Sequence, residues 1–172
     1  MEIIKCEKKH LEQVSDLYKR VVKYLEETIN FPKWSEDYPC RETVLSSILC
    51  GEQYACVEDG RVIGAFVLNE NPDGNYDVGD WTKTLTQGDY LVIHTFAVHP
   101  SAKGKGIGGY MVDFCIHTAK HTGYKAIRLD VVPDNIPAIN LYKRKGFAFA
   151  GQGDLSRGIE DIPVFDLYEM NF

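Results

Sequence analysis

The sequence predicts a mixed α/β (α+β) domain, a central mixed sheet of six or seven strands flanked by about four helices. Three observations predict it. Leu11, Val14, Leu17, Tyr18, Val21, Val22 and Leu25 recur at three- and four-residue spacing, the period of an amphipathic helix. Two apolar runs, Tyr54 to Val57 and Val62 to Leu68, flank Asp59-Gly60, a dipeptide that tolerates positive φ at both positions of a tight turn. A third apolar run, Tyr90 to Val98, leads through a glycine-rich segment into a second helical periodicity and then another strand. The chain has 172 residues, which suits one domain over 1–172.

Met1 to Glu7 reads as a short first strand, and the first helix follows from Leu11. Asn30 to Pro39 is a break that contains Pro32, Trp34, Tyr38 and Pro39. A shorter helix is expected from Arg41 to about Cys50, and then the hairpin. Residues 70 to 89 form a Gly- and Asp-rich insertion, too long for an ordinary hairpin loop and so a candidate functional segment. After the strand Tyr90–Val98 comes a helix whose face reads Ile107, Tyr110, Met111, Phe114, Cys115 and Thr118. Ala126 to Val132 is a further strand. Asp134 or Asn135 caps a short helix with Pro137 in its first turn, and Gly146 supplies its stop. Phe147 to Gly151 and Val164 to Phe172 are the closing strands.

Composition narrows the function. The formal net charge is -6, with 44% hydrophobic and 26% charged residues, ordinary for a soluble globular chain. No apolar stretch approaches the ~20 residues of a bilayer-spanning helix. The acidic N-terminus is not a secretory signal, and five cysteines form an odd set; a reduced, cytoplasmic chain is expected. An acidic protein is a poor general binder of nucleic acid. The average conceals a division. Residues 100–145 hold eight basic and three acidic side chains, a surplus of five, which leaves -11 for the remainder. Such a patch suits one local anionic ligand.

Glycines mark where that ligand would sit. Gly104, Gly106, Gly108 and Gly109 have no Cβ, so successive N–H groups can converge on one anion as the helix begins. Lys103 and Lys105 add full charges. A phosphate, and better a pyrophosphate, is the natural ligand. The nucleotide-triphosphatase loop fails because Gly108-Gly109-Tyr110 stands where Gly-Lys-Ser/Thr is required. The dinucleotide fingerprint is met literally by Gly104, Gly106 and Gly109, with Asp130 about twenty residues on. Against it, His99 to Lys103 separate strand from glycines, and only 42 residues follow Asp130. An NAD(P)-binding enzyme stays as the alternative.

The stretch Phe96-Ala97-Val98-His99-Pro100-Ser101-Ala102-Lys103-Gly104-Lys105-Gly106-Ile107-Gly108-Gly109 resembles the acetyl-coenzyme A loop of the GCN5-related N-acetyltransferases (GNAT). Lys103, Gly106 and Gly108 take the positions of Arg/Gln-x-x-Gly-x-Gly/Ala, with lysine where the family usually has arginine or glutamine. Downstream, Asn135, Ala138, Leu141 and Tyr142, followed by Gly146-Phe147, resemble the family's second signature. The two motifs together cover residues 90 to 150. The resemblance implies a GNAT-like fold and acetyl-CoA as co-substrate, with no metal. Phe96 to Val98, Lys103 to Gly109, Asn135, Ala138 and Tyr142 are the implied cofactor-binding residues. It implies an acetyl group moved to a primary amine of a small molecule or peptide, by direct attack in a ternary complex.

Tyr142 is the residue that the resemblance puts in the role of acid, since a phenol of pKa ~10 is protonated at neutrality and can serve a thiolate leaving group. No acid lies on the strand where the family often places a glutamate. His94 is the titratable imidazole there and the candidate base. Asp89 and Asp130 are weaker candidates, and water-mediated proton removal stays open. The acceptor pocket of this family is built from the first helices and variable loops, which makes Trp34, Tyr38 and Trp81 the candidate substrate-binding residues. Nearby acids with aromatics would suit a cationic amine. His10, His94, His99, His117 and His121 show no metal-ligand spacing with the cysteines. A non-catalytic coenzyme A-binding regulatory domain of the same fold is the second alternative. The assembly is expected to be a monomer or homodimer.

Overall fold

The computed structural model describes residues 1–172. Seven strands and four helices follow the chain order β1 (Glu2–Lys5), α1 (Leu11–Glu26), α2 (Arg41–Leu49), β2 (Gln53–Glu58), β3 (Arg61–Asn69), β4 (Tyr90–Val98), α3 (Ile107–His121), β5 (Ala126–Val131), α4 (Ile136–Arg144), β6 (Ala148–Gly153) and β7 (Phe165–Asn171). The strands form a mixed sheet of order β1-β2-β3-β4-β5-β7-β6. Two compact units divide the chain, Met1–Leu68 with His94–Phe114 and Asn69–Ile93 with Cys115–Phe172. β4 and α3 therefore each contribute to both.

The first unit is built by local pattern. β1 pairs antiparallel with β2, and β2 with β3, across the predicted hairpin. Asp59 and Gly60 both have positive φ, 49° and 73°, as a two-residue turn between right-twisted strands requires. α1 buries Leu11, Val14, Leu17, Tyr18 and Val21 of its predicted stripe against Val44 and Ile48 of α2 and Ala55, Ala65 and Ala97 of the strands; Val22 is also buried and Leu25 half-buried. Small residues on the strands let the helix approach closely.

In the second unit β4 and β5 form a parallel ladder that covers Tyr90 to Val92 against Ala126 to Arg128. β5 then pairs antiparallel with β7 over six residues, and β7 with β6. A core of Tyr76, Tyr90, Val92, Ala126, Ala150, Leu155, Ile162, Phe165 and Leu167 holds it together. Asn135 is the N-cap of α4; its side chain accepts from the Ala138 N–H, and Pro137 sits in the first turn.

One expectation is corrected. The buried face of α3 runs Ile107, Met111, Val112, Cys115 and Ala119, whereas Tyr110 is 38% exposed. Residues 107, 111, 115 and 119 stack at four-residue spacing, which turns Tyr110 off the stripe.

Candidate active site

The glycine-loop residues lie in the first unit. His99 opens a single turn of 3-10 helix, its Nδ1 accepting from the Ser101 N–H at 3.2 Å and lying 2.8 Å from Ser101 Oγ. Pro100 and the buried Ala102 complete that turn. Gly104 and Gly106 follow at φ 77° and 79°, a region that side chains with a Cβ rarely enter. A Cβ built on either would meet nothing within 4 Å, so these glycines answer to backbone conformation and leave open space above the loop. Tyr110 N donates to Gly106 O at 3.0 Å and starts the helix. The N–H groups of Ile107, Gly108 and Gly109 belong to the first turn and have no intrahelical acceptor. Lys103 extends from the loop to α1, where its Nζ lies 4.4 Å from the Tyr24 ring centroid and donates to Tyr24 Oη at 3.2 Å.

The strand that feeds this loop is not regular. Thr95, in the middle of β4, has φ 42°, the left-handed region, which is a genuine outlier for a β-branched residue. Its carbonyl accepts from Tyr18 Oη at 2.8 Å, and its own hydroxyl is buried with no partner. His94 and Phe96 flank this kink; both are half-buried, and the Phe96 ring lies 6.0 Å from that of Phe66. Ala97 is buried in the α1 core, and Val98 is half-buried. No local signal in the sequence reveals the kink, because threonine in an apolar run reads as ordinary strand.

Asn135, Ala138 and Tyr142 lie in the second unit. Tyr142 is on the buried face of α4 beside Ile139, with the Phe147 ring 5.7 Å away edge-on. Burial first, then the Cys115 thiol and the Asp130 carboxylate, push its phenol well above the usual range. The proton therefore stays on Oη throughout the neutral range. Burial likewise pushes the Cys115 thiol well up, which makes it an inert packing residue.

Asp130 is engaged by other groups. Arg157 grips it bidentately at 2.8 and 2.7 Å, and Tyr76 Oη donates to it at 2.7 Å. Arg157 also donates from Nη2 to the Pro72 carbonyl at 3.2 Å and from Nε to that of Asp73 at 2.5 Å. A carboxylate so occupied is a poor base, and equally a poor holder of the ribose hydroxyls that a dinucleotide would present. Asp89, the other weak candidate, pairs with Lys125 at 2.6 Å and accepts from Thr86, contacts that lower its carboxyl to about 2.

Residues 70–89 dock through two such networks. Besides Tyr76 and Asp130, the Arg128 guanidinium lies between Trp81 and Tyr90, 4.1 and 4.3 Å from their ring centroids. Arg128 and Glu169 side chains are each 2% exposed and 3.8 Å apart, and Thr82 donates to Glu169 through its N–H and hydroxyl, at 2.9 and 2.6 Å. Trp81, a candidate acceptor residue, thus gives its face to Arg128 and its indole N–H to the Tyr76 carbonyl at 2.6 Å. In the first unit Trp34 packs edge-on against Tyr18 with ring centroids 6.0 Å apart, fastened by Asn30 through two hydrogen bonds. Tyr38, beyond it, is 44% exposed. The three aromatics are divided between the units. Sequence reasoning missed Tyr18, Arg128, Glu169 and Arg157, whose partners are far away in the chain.

A strand kinked just before a glycine turn, with first-turn N–H groups that have no intrahelical acceptor, is an arrangement suited to hold an anion. A family model described as "Acetyltransferase (GNAT) family" matches residues 13–147, and the chain belongs to that family. It is similar to the S-(2-succino)cysteine N-acetyltransferase of Bacillus subtilis, 30% identical over 121 residues, which cover 68% of this chain and 67% of that one. Streptothricin acetyltransferase of Streptomyces lavendulae is 38% identical over 74 residues, 40% of this chain and 39% of that one. The chain spans about two fifths of the length of the first curated relatives that it matches. Among solved structures, a Salmonella typhimurium acetyltransferase crystallised with its cofactor acetyl-CoA aligns at TM-score 0.69 and 18% identity, over 99% of this chain and 93% of that one. At that identity the likeness is one of fold.

Proposed function

We propose that residues 1–172 act as one N-acetyltransferase domain that moves an acetyl group from acetyl-CoA to a primary amine of a small molecule or peptide. The observation that carries this reading is the loop. Gly104 and Gly106 hold positive φ, open space lies above them, and the first-turn N–H groups of Ile107 to Gly109 lack intrahelical acceptors. That donor set fits a pyrophosphate. Lys103 and Lys105 add charge at the loop, and Asn135 and Ala138 at the start of α4 complete the proposed cofactor contacts. When bound, the co-substrate supplies an activated acetyl thioester.

The chain's own groups would then divide the proton work. A lysine-like amine has pKa ~10.4 and is protonated at neutral pH, so it must lose a proton before it attacks. His94 is the proposed acceptor of that proton, directly or through water. The neutral amine nitrogen bonds to the acetyl carbon as the carbon–sulfur bond breaks, with no acyl-enzyme. Tyr142, holding its proton at Oη, is the proposed donor to the departing sulfur, and the proton that the nitrogen sheds as the amide forms would return to that oxygen, directly or through water. Much of the rate enhancement would come from holding both substrates together, worth ~7–11 kcal/mol, with an acid or base adding about 10²–10⁴-fold.

For the acceptor, exposed acids beside aromatics support a cationic amine: Glu36 and Asp37 near Trp34 and Tyr38, and Asp77 and Asp80 near Trp81. Replacing Asp77 and Asp80 together by asparagine should then raise KM for such an amine and leave kcat nearly unchanged. The cysteines are free and no helix is long and apolar enough to cross a membrane; both support action in a reducing, cytoplasmic compartment.

A paired ligand experiment tests the reading. Acetyl-CoA should raise Tm, and an amine panel should release free coenzyme A thiol in its presence. Stabilisation by NAD(P) alone would establish the dinucleotide reading, and stabilisation by acetyl-CoA with no thiol released from any amine would establish a regulatory binding domain.

A further inference from the structure

The structure assigns a positioning role to Tyr18: we propose that its hydroxyl holds β4 in the left-handed kink at Thr95, and so sets the direction of His94 and Phe96 at the entrance to the coenzyme loop. This inference rests on the acetyltransferase reading for its effect on rate, though not for its effect on shape.

The kink needs an external hold. Thr95 is a β-branched residue in an apolar run, and both features favour extended backbone. At φ 42° its Cβ crowds the following carbonyl, a conformation that persists only where surrounding contacts enforce it. A left-handed residue within a strand also turns its carbonyl away from the direction of regular pairing. That carbonyl is taken by Tyr18 Oη at 2.8 Å, a bond that joins α1 to β4 across 77 residues of sequence. Tyr18 is well placed to hold still. Its side chain is 1% exposed, the Trp34 ring packs edge-on against it, and the buried Gln53 is a second polar neighbour of the phenol. Burial, the first cause, pushes that phenol well above its usual range, so the hydroxyl keeps its proton at neutral pH.

Strain of this kind gathers where geometry matters, and the position fits. His94, the proposed proton acceptor, immediately precedes the kink, and Phe96 immediately follows it. Were residue 95 to relax to an extended φ, period-two alternation would resume through it and the directions of the flanking residues would change. The consequence is displacement of reacting groups, to which rates are far more sensitive than binding.

The experiment compares Tyr18→Phe, Thr95→Asn and the double variant, each at full length. Tyr18→Phe keeps the ring and removes the donor. The Cα and Cβ chemical shifts of residue 95 should then move to extended-strand values. With a competent amine, kcat should fall at least tenfold while KM for acetyl-CoA changes less than threefold. Asparagine tolerates the left-handed region where threonine does not. Thr95→Asn in the Tyr18→Phe background should therefore return the shifts and recover several-fold of the lost kcat. A merely structural hydroxyl would lower Tm in Tyr18→Phe with no rescue by asparagine, and that result would overturn the proposal. Unchanged shifts at residue 95 would overturn it independently of any activity. If no amine drew thiol release from the wild-type protein, the acetyltransferase reading would fail, and the shifts would still decide whether Tyr18 holds the kink.

Discussion

The glycine loop and the β5 face solve the problem of holding a polar arrangement in opposite ways. The loop uses backbone: two left-handed glycines border open space and a helix start leaves N–H groups without intrahelical acceptors, while Lys103 is tethered to Tyr24. The β5 face uses side chains drawn from distant segments, Arg128 with Glu169 and Asp130 with Arg157 and Tyr76. The first arrangement has donors to spare and is suited to accept a ligand. The second has turned most of its donors inward, with Arg128 Nε buried and without a hydrogen-bond partner, and is suited to fix the insertion in place.

The largest effect tests whether a buried side chain of the second unit nevertheless takes part in chemistry. Tyr142→Phe removes a phenol that burial, Cys115 and Asp130 keep protonated. We expect kcat to fall about 10²–10⁴-fold, with affinity for acetyl-CoA by calorimetry held within about threefold. Unchanged turnover would reduce Tyr142 to a packing residue of α4.

Next comes the claim that the β5 networks are structural. Asp130→Asn leaves the Arg157 guanidinium, whose side chain is only 17% exposed, without its charge partner. Breaking a buried pair costs ~3–5 kcal/mol, and the residual exposure reduces this to about 2–3, or a Tm lower by roughly 4–12 °C in a chain of this size. Replacing Arg157 by methionine in the same variant should recover much of the loss, because no buried charge is then uncompensated. A double variant no more stable than the single would show that the tether to Pro72 and Asp73 matters more than the charge.

The loop should respond in affinity and barely in Tm. Gly106→Val forces a β-branched residue to φ 79°. The exposed loop can relax when free, so a cost of about 1–2 kcal/mol is met on binding and corresponds to roughly 5- to 30-fold weaker acetyl-CoA affinity, measured by calorimetry. Equal affinity would move the pyrophosphate away from this loop.

The same contrast explains what could be read from sequence. Helix α1, the hairpin at Asp59-Gly60 and the span of β4 are local patterns, in which periodicity or a turn dipeptide states the answer within about ten residues. The glycine loop was equally legible, because a left-handed backbone next to a helix start is written in residue type. Tyr110 was misjudged only because four-residue stacking along α3 excludes it. The β5 face was illegible for a physical reason. Arg128 in an apolar strand and Arg157 in a loop carry no pattern that names Glu169 or Asp130, which chain topology alone brings near. Thr95 was illegible in the stronger sense that its residue type argues against its conformation.

The smallest effect sharpens the comparison at its edge, where a charge pair faces solvent. Asp89 pairs with Lys125 and accepts from Thr86, and these contacts hold its carboxyl at about 2, below the ~3.9 of an unfolded chain. A folded value below the unfolded one means that the unfolded state binds the proton more readily. The pair's contribution is therefore fully present above about pH 4 and is lost as pH falls towards 2. Lys125 is 60% exposed, so solvent and salt screen the attraction and the effect on Tm should be slight. Wild type and Asp89→Asn should differ slightly at pH 6 in low salt, converge as pH falls from 4 to 2, and converge also at high salt. A gap that persists at pH 2 would mean that the Thr86 hydrogen bonds, rather than the ion pair, anchor the end of the insertion.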